Sequence, residues 1–235
     1  MKTLRTMLLL VMIAFTGVGT VLAGNESQER NVKGFNAIKV STGIDLYLSM
    51  GNDESVKIVA DDDIIDDIKT EVKDGTLLIY MKQKNSWFNW NGNQSRKAYV
   101  TVKELVALDA SSGSDVETET TLEGDELEVN VSSGADVKLQ LHIKNFSIDT
   151  SSGSDAKLSG SVKYLNAEAS SGSDINASDL EAAFCKAKAS SGSDISLSVT
   201  EEIQAKASSG GDIVYSGNPK TKDIDESSGG DVRQR

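Results

Sequence analysis

Cysteine, histidine and proline are almost absent from this sequence, since each occurs once in 235 residues. A single cysteine, Cys185, cannot form an intramolecular disulfide, so the fold must be held together by its packed core. The single histidine, His142, has no second histidine near it in the sequence. This arrangement weighs against a histidine-based catalytic site.

Positive charge is also scarce. The chain contains 24 lysines and arginines against 36 aspartates and glutamates, which gives a formal net charge of −12 at pH 7. An acidic surface repels the phosphates of nucleic acids and the headgroups of anionic membranes. We therefore expect no nucleic-acid partner.

Long apolar runs are missing after the first 23 residues. Lys2 and Arg5 precede an apolar stretch from Leu8 to Phe15, and small residues lead to Ala23. This order is typical of a secretory signal peptide, and the stretch is too short to cross a bilayer comfortably. We predict a signal peptide at residues 1–23 and no membrane span after its cleavage. The mature protein would then lie in the periplasm or at the cell surface.

One pentapeptide, Ser-Ser-Gly-Ser-Asp or a close variant, occurs seven times in the C-terminal half of the chain. Successive copies start 21, 19, 19, 20, 18 and 19 residues apart. Self-similarity at such a period is typical of solenoids, in which each coil buries its apolar side chains only by stacking on its neighbours. The copies begin at Ser111, Ser132, Ser151, Ser170, Ser190, Ser208 and Ser227.

Apolar and polar residues alternate on both sides of each copy. Period two predicts strands with one buried face, and helical spacing does not fit. We therefore predict an all-β protein, a parallel β-helix solenoid with coils of about 19 residues and an irregular N-terminal cap. Cys185 shares the inward parity of Phe146 and Leu165 in neighbouring coils. It is predicted to be a small buried hydrophobe rather than a nucleophile.

The pentapeptides are predicted to be tight bends. Parity places their second and fourth residues inward and the aspartate outward, and the glycine at the third place is expected to adopt a conformation that is costly for other residues. Inward serine hydroxyls are expected to pair with the serine one coil away. The residues of this turn ladder are Gly113, Asp115, Gly134, Asp136, Gly153, Asp155, Gly172, Asp174, Gly192, Asp194, Gly210, Asp212, Gly229 and Asp231.

The outward aspartates raise the question of a metal. Carboxylates about 5 Å apart repel by roughly 1 kcal/mol even in water, so something must offset the repulsion. One interpretation is that each aspartate accepts hydrogen bonds from its own turn. The alternative is a calcium ladder, but Ca²⁺ requires six to eight oxygen ligands and each coil supplies one aspartate. We predict no metal and no cofactor.

Residues 24–104 contain one worn copy of the motif, Ser41-Thr42-Gly43-Ile44-Asp45. It predicts a first coil, followed by a capping insertion with strands at residues 55–59, 76–81 and 97–102 and a helical turn within residues 61–69. Residues 105–235 are predicted to form the seven-repeat β-helix, as one structural unit with residues 24–104. Glu226 at an inward position and Pro219 suit a terminal coil that faces water.

The chain resembles the head GIN domain family, whose members are named as autotransporter adhesins and are common among exported Bacteroidetes proteins. The resemblance rests on residues 32–38 (VKGFNAI), 41–45 (STGID) and 74–79 (DGTLLI), and on the serial Ser-Ser-Gly-Ser-Asp turns. It covers nearly all of the mature chain. It implies an adhesin-like role and brings no catalytic motif.

From these features we predict an exported, non-enzymatic binding or scaffolding module at the cell envelope, with a glycan or an envelope protein as partner. The alternative is a polysaccharide-active β-helix enzyme, either a lyase or a hydrolase. A candidate ligand site is the aromatic and amide cluster Trp87, Phe88, Trp90 and Asn91. Aromatic faces and amide groups suit a sugar surface, but the same tryptophans could instead plug the end of the core.

Overall fold

The computed structural model describes residues 24–82 and 94–235. Within these ranges the chain forms one sheet of 17 strands and a single 3₁₀ turn, and no helix is long and apolar enough to cross a membrane. The elements are β1 (Asn25–Glu29), β2 (Ala37–Val40), β3 (Asp45–Met50), β4 (Ser55–Asp61), the 3₁₀ turn (Ile65–Asp67), β5 (Ile68–Lys73), β6 (Thr76–Met81), β7 (Arg96–Val102), β8 (Ala107–Ser111), β9 (Asp115–Thr118), β10 (Leu122–Ser132), β11 (Asp136–Ser151), β12 (Asp155–Ser170), β13 (Asp174–Ser190), β14 (Asp194–Ser208), β15 (Asp212–Ser216), β16 (Thr221–Ser227) and β17 (Asp231–Gln234).

Coils of the repeat region stack in parallel, which confirms the predicted β-solenoid. Strands β11 to β14 contain 15 to 17 residues each. Each ends at the first serine of a pentapeptide, and the next strand begins at its aspartate. Each coil is in register with the next, so that Asp136, Asp155 and Asp174 lie side by side. Equivalent residues therefore form columns that run along the axis of the solenoid.

Coil length explains where this register is interrupted. The coil that starts at Ser170 is 20 residues long and the next one is 18, so β13 has more residues than its neighbour can pair with. The pairing of β13 with β14 shifts between Ala177 and Glu181 and again between Ala182 and Phe184. These bulges absorb the difference and leave the turns aligned.

The core consists of the inward columns. Aliphatic side chains from successive coils pack against one another, and Cys185 fills its place in one such column with only 4% of its surface exposed. Burial raises the pKa of the Cys185 thiol to about 12. Close to the turns the columns contain mainly alanine, which fits a narrow edge of the core. The column of Cys185 contains Leu127, Phe146, Leu165, Cys185 and Ile203.

Two consecutive residues of each turn lie in the left-handed region of backbone conformation. In the third copy φ is 59° at Ser152 and 67° at Gly153, and the other copies are similar. Ser152 is exposed and Ser154 is buried. The inward assignment of the second residue was therefore wrong, because two left-handed residues do not alternate like a strand. The turns also bond to one another, since the Gly153 N–H donates to the Ser171 carbonyl of the next coil at 3.3 Å.

The sequence analysis predicted that each buried serine would pair with the serine one coil away. That prediction was wrong, because the buried serines form hydrogen bonds with backbone groups instead. Ser173 Oγ lies 2.9 Å from the carbonyl oxygen of Thr150 in the preceding coil, and Ser193 Oγ lies 2.8 Å from that of Ala169. Each hydroxyl also accepts a hydrogen bond from the first N–H of its own turn. The fourth position of the motif therefore links a turn to the coil beside it.

The N-terminal region extends the stack by two more layers of parallel strands and then ends it. Strands β2 and β3, which flank the worn motif, pair in parallel with β8 and β9, and on their other side with β6 and β7. Three antiparallel strands follow, with β5 against β6, β4 against β7, and β1 against β4. The change from parallel to antiparallel pairing stops the solenoid at this end. The expected helical turn is limited to Ile65–Asp67.

Polar contacts cover the C-terminal end of the solenoid. The Glu226 carboxylate accepts a 2.7 Å hydrogen bond from the Val232 N–H, and Lys222 Nζ donates to the side-chain oxygen of Gln234 at 2.8 Å. Glu226 pairs with Ala207 and Val232 with Ile213, so these side chains lie beneath the last complete coil. All of β16 is exposed to solvent.

Candidate functional site

The aromatic cluster predicted from the sequence lies outside the described residues. Trp87, Phe88, Trp90 and Asn91 fall in the segment 83–93, which joins β6 to β7. Their role as a ligand site or as a core plug stays a prediction. The first described residue after the segment, Gln94, donates from Nε2 to the Asp63 carboxylate at 3.1 Å.

The outward aspartates form one continuous column on the surface of the solenoid. Neighbours in the column are paired residues of adjacent strands, and Asp45 of the worn motif precedes Asp115. The acceptor role differs from the one expected, because carboxylates bond to the next coil and not to their own turn. Asp136 accepts from the Asp155 N–H at 3.2 Å, and Asp174 from the Asp194 N–H at 3.1 Å. The repeat members are Asp115, Asp136, Asp155, Asp174, Asp194, Asp212 and Asp231.

Burial and neighbouring like charges change the acidity of three aspartates in this column. Partial burial, then the charges of Asp45 and Asp136, raise the pKa of Asp115 above its ordinary value of 3.8. Partial burial and the flanking aspartates likewise raise the pKa of Asp155 and of Asp194. No group of three or more potential metal ligands occurs within residues 24–82 and 94–235. Backbone N–H donors therefore offset part of the repulsion between the carboxylates.

A groove runs beside this column, and we call it the aspartate groove. Its volume is about 570 Å³. One wall consists of Asp45, Asp115, Asp136, Asp155 and Asp174, and the other of Tyr47, Glu117, Lys138, Lys157 and Asn176. At the capped end Tyr47 stacks on Tyr99 with ring centroids 5.0 Å apart. Lys138 forms an ion pair with Glu117 across one coil step.

A second groove lies before the turns and has a different lining, and we call it the aromatic groove. Its volume is about 760 Å³. Both walls are outward columns with one residue per coil, and the buried column of Cys185 forms the floor between them. One wall contains Glu126, Asn145, Tyr164, Phe184 and Glu202, and the other contains Glu128, Ser147, Asn166, Lys186 and Gln204.

Two aromatic residues stand at the centre of the aromatic groove. Tyr164 and Phe184 stack with ring centroids 5.1 Å apart and an interplanar angle of 23°. Tyr164 remains 41% exposed, which makes it one of two exposed large hydrophobic residues within residues 24–82 and 94–235. Lys163 Nζ lies 5.1 Å from the centre of the Tyr164 ring. Phe184 is half-buried, so the pair faces the groove rather than the core and keeps one ring open to solvent. Such an aromatic surface can bind a ligand.

Sequence reasoning missed this pair, although a signal was present. Each residue lies six positions before the first serine of the following motif, with 164 before 170 and 184 before 190. Both positions face outward on stacked coils. Because both residues have the same offset from a motif and the same outward parity, the sequence could have predicted that the two rings lie side by side on adjacent coils.

The one arrangement that resembles catalytic chemistry lies elsewhere. His142 Nδ1 is 2.9 Å from Ser161 Oγ, and Glu123 pairs with His142 on the other side, so an acid, a histidine and a serine follow one another on three coils. Both His142 and Glu123 are exposed. No hydrogen bond joins Glu123 to the imidazole in the part of the chain that the structure describes, and neither groove is lined by these residues. A triad requires the acid to orient the imidazole, and here that contact is missing.

Comparison with known families decides the classification. Residues 34–219 match the family described as "Putative auto-transporter adhesin, head GIN domain". This chain belongs to that family. The match covers the worn first motif, the capping strands β4 and β5, and five complete coils of the repeat region.

Three solved structures of similar fold come from Bacteroidetes. A "putative adhesin" from Bacteroides fragilis has a TM-score of 0.80 at 23% identity, and the alignment covers 90% of this chain and 97% of that one. A "putative adhesin" from Parabacteroides merdae gives 0.72 at 17% identity, covering 90% and 96%. A "putative lipid binding protein" from Parabacteroides distasonis gives 0.70 at 20% identity, covering 89% and 97%. At these identities the likeness establishes the fold. Curated protein sequences give no match.

Proposed function

We propose that this head GIN protein is an exported, non-enzymatic binding module of the adhesin type, working in the periplasm or at the cell surface. Family membership supports an adhesin-like role, and the signal-like N-terminus supports export. Its partner is a glycan or a protein of the cell envelope.

The observation that carries this proposal is the aromatic groove. A stack of rigid coils holds chemically varied side chains in two parallel columns, with a stacked aromatic pair at the centre in which Tyr164 is exposed and Phe184 half-buried. Such a surface is preformed, so binding an extended partner orders few side chains and loses little conformational entropy. Binding sites commonly combine apolar area with a few well-placed polar groups.

An enzyme is the weaker interpretation of the same geometry. Glycoside hydrolases need two carboxyl groups whose surroundings differ enough for one to act as acid and the other as base or nucleophile. The aspartate column supplies repeated carboxylates in nearly repeated surroundings. The His142–Ser161 pair is not oriented by an acid and lies outside both grooves.

The deciding experiment compares binding with turnover on the same material. Mature protein, residues 24–235, is incubated with isolated cell envelopes and with soluble polysaccharides. Bound protein is measured after sedimentation, and released reducing ends or unsaturated products are measured in the supernatant. We expect saturable binding to at least one of these materials without product. Product formation that the His142→Ala or Ser161→Ala variant abolishes would overturn the non-enzymatic assignment.

Export is tested separately with the full-length chain in a Bacteroidetes host. We expect a processed protein that begins near Gly24 and fractionates with the periplasm or the cell surface. Protease added to intact cells then distinguishes these two compartments. Unprocessed protein in the cytoplasm would contradict the proposal.

A further inference from the structure

Resting on the proposed function, we infer that the aromatic groove binds a neutral polysaccharide laid along the axis of the solenoid, with Tyr164 and Phe184 as its apolar platform. The groove crosses five coils, so its length is about 19 Å at strand spacing. Each wall presents one side chain at every coil step, which suits an extended ligand that contacts several coils.

The polar groups on the walls match the hydroxyl groups of a sugar chain. Asn145, Asn166 and Gln204 each carry a side-chain amide with both a donor and an acceptor. Ser147 accepts a 3.2 Å hydrogen bond from Asn166 Nδ2, so these two side chains of the second wall are already ordered without a ligand. Asn145 is ordered as well, since its Nδ2 donates to the Asp125 carbonyl at 3.2 Å. Hydroxyl groups of a glycan can both donate to and accept from such amides.

Charge selects against an anionic polymer. The walls of the groove carry three carboxylates, Glu126, Glu128 and Glu202, and one ammonium group, Lys186. A second ammonium group, that of Lys163, lies beside the Tyr164 ring, so the carboxylates still outnumber the cations. The whole chain is also strongly acidic, with a net charge of −12. A polyuronate or a nucleic acid would therefore be repelled by both the site and its surroundings.

Two other occupants fit less well. An extended peptide commonly binds by adding a strand to an open sheet edge. Strands β11 to β13, which hold the centre of the groove, are paired in parallel on both sides and have no free edge. A lipid chain would have to cover the charged groups Glu128, Lys186 and Glu202, and burying unpaired charges is strongly unfavourable.

The test is native affinity electrophoresis, in which the acidic protein migrates through gels that contain one polysaccharide each. The neutral probes are laminarin, arabinoxylan and mannan, and polygalacturonate is the anionic probe. We expect retardation by at least one neutral probe and none by polygalacturonate. Tyr164→Ala and Phe184→Ala should weaken binding about tenfold or more, as truncating a central aromatic contact does. Tyr164→Phe should retain binding because the ring remains.

The matched control is Tyr47→Ala, which removes an outward stacked ring from the aspartate groove and should leave retardation unchanged. Equal retardation of the Tyr164→Ala/Phe184→Ala double variant and the wild type would overturn the inference. Failure of all three neutral probes would overturn it too. If the protein still bound cell envelopes in either case, the proposed function would stand.

A second measurement needs no variant and so does not depend on mutant folding. In the NMR spectrum of the wild-type protein, side-chain amide signals of Asn145, Asn166 and Gln204 should shift as the retarding polysaccharide is added. The Asn176 amide, in the aspartate groove, is the internal control and should not shift. Shifts at Asn176 without shifts at Asn145 and Asn166 would place the glycan in the aspartate groove and overturn the inference.

Discussion

The buried hydroxyl of Ser154 donates a 2.9 Å hydrogen bond to the carbonyl oxygen of Val131, which lies in the preceding coil. Ser154 Oγ also accepts a 3.1 Å hydrogen bond from the Ser151 N–H at the start of its own turn. One side chain therefore satisfies two backbone groups at a point where the sheet ladder is interrupted by a bend. Because three of the repeat turns share this arrangement, we regard it as the device that keeps the turns aligned.

The first prediction removes this hydroxyl. Ser154→Ala should lower the free energy of unfolding by about 1–3 kcal/mol, because the buried Val131 carbonyl and Ser151 N–H lose their partner. Alanine fits the site sterically, since the preceding turn already has Ala135 at the same place. The reciprocal variant Ala135→Ser should not destabilise the protein. Denaturant unfolding followed by circular dichroism measures both, and an unchanged Ser154→Ala midpoint would show that the hydroxyl does not stabilise the turn.

A second prediction separates backbone strain from steric clash at two glycines. Gly153 has φ of 67° and open space where a side chain would lie, so Gly153→Ala should cost about 1–2 kcal/mol through conformation alone. Gly160 has φ of 109°, and an added methyl group would meet the backbone carbonyl of Leu141 in the adjacent coil. Gly160→Ala should therefore cost at least about 3 kcal/mol. Equal losses for the two variants would contradict this distinction.

The two glycines also show how far sequence reasoning reached. The repeat period and the alternation correctly predicted the parallel β-helix and the burial of Cys185. Gly153 was recognisable because it belongs to a repeated motif. Gly160 was not, because its role depends on the close approach of Leu141, which is set by the register between coils.

Other features were hidden for related reasons. Parity predicted an inward Ser152, but parity counting assumes extended residues and fails where two successive residues are left-handed. Strand β6 pairs with β2 and not with a strand that follows it in the chain, so the order of the N-terminal coils could not be derived from periodicity. The aromatic groove depends on columns of residues about 19 positions apart.

The third prediction concerns pH. The pKa values of Asp115, Asp155 and Asp194 are raised in the folded protein, so the folded state holds these protons more tightly than the unfolded state. Stability should therefore increase as pH falls from neutral through the raised values toward 3.8, and it should be lost as pH rises through the same window. Thermal unfolding midpoints measured between neutral and about pH 4 test the sign.

Asp155→Asn isolates the contribution of the aspartate column. Asparagine removes one charge and keeps an acceptor for the Asp174 N–H, so the midpoint at neutral pH should rise and its pH dependence should flatten. Asp223→Asn, an exposed aspartate outside the column, is the control. EDTA should leave the wild-type midpoint unchanged. A midpoint that calcium raises and EDTA lowers would instead support the calcium ladder.

The last prediction concerns the polar closure of the C-terminal end. Glu226 pairs with Ala207 and occupies the inward position of the last coil, where its carboxylate accepts the Val232 N–H. Ile224 beside it is already 39% exposed, and β16 has a free edge. Glu226→Val would add a second apolar side chain to this end and remove its charge, which makes the free edge a surface for pairing with another molecule. We expect concentration-dependent association of Glu226→Val in analytical ultracentrifugation, at concentrations where the wild type does not associate further. Asp223→Val alters the same strand on its outward side and should behave like the wild type. If Glu226→Val sedimented as the wild type does, the carboxylate would not be what keeps this edge from pairing.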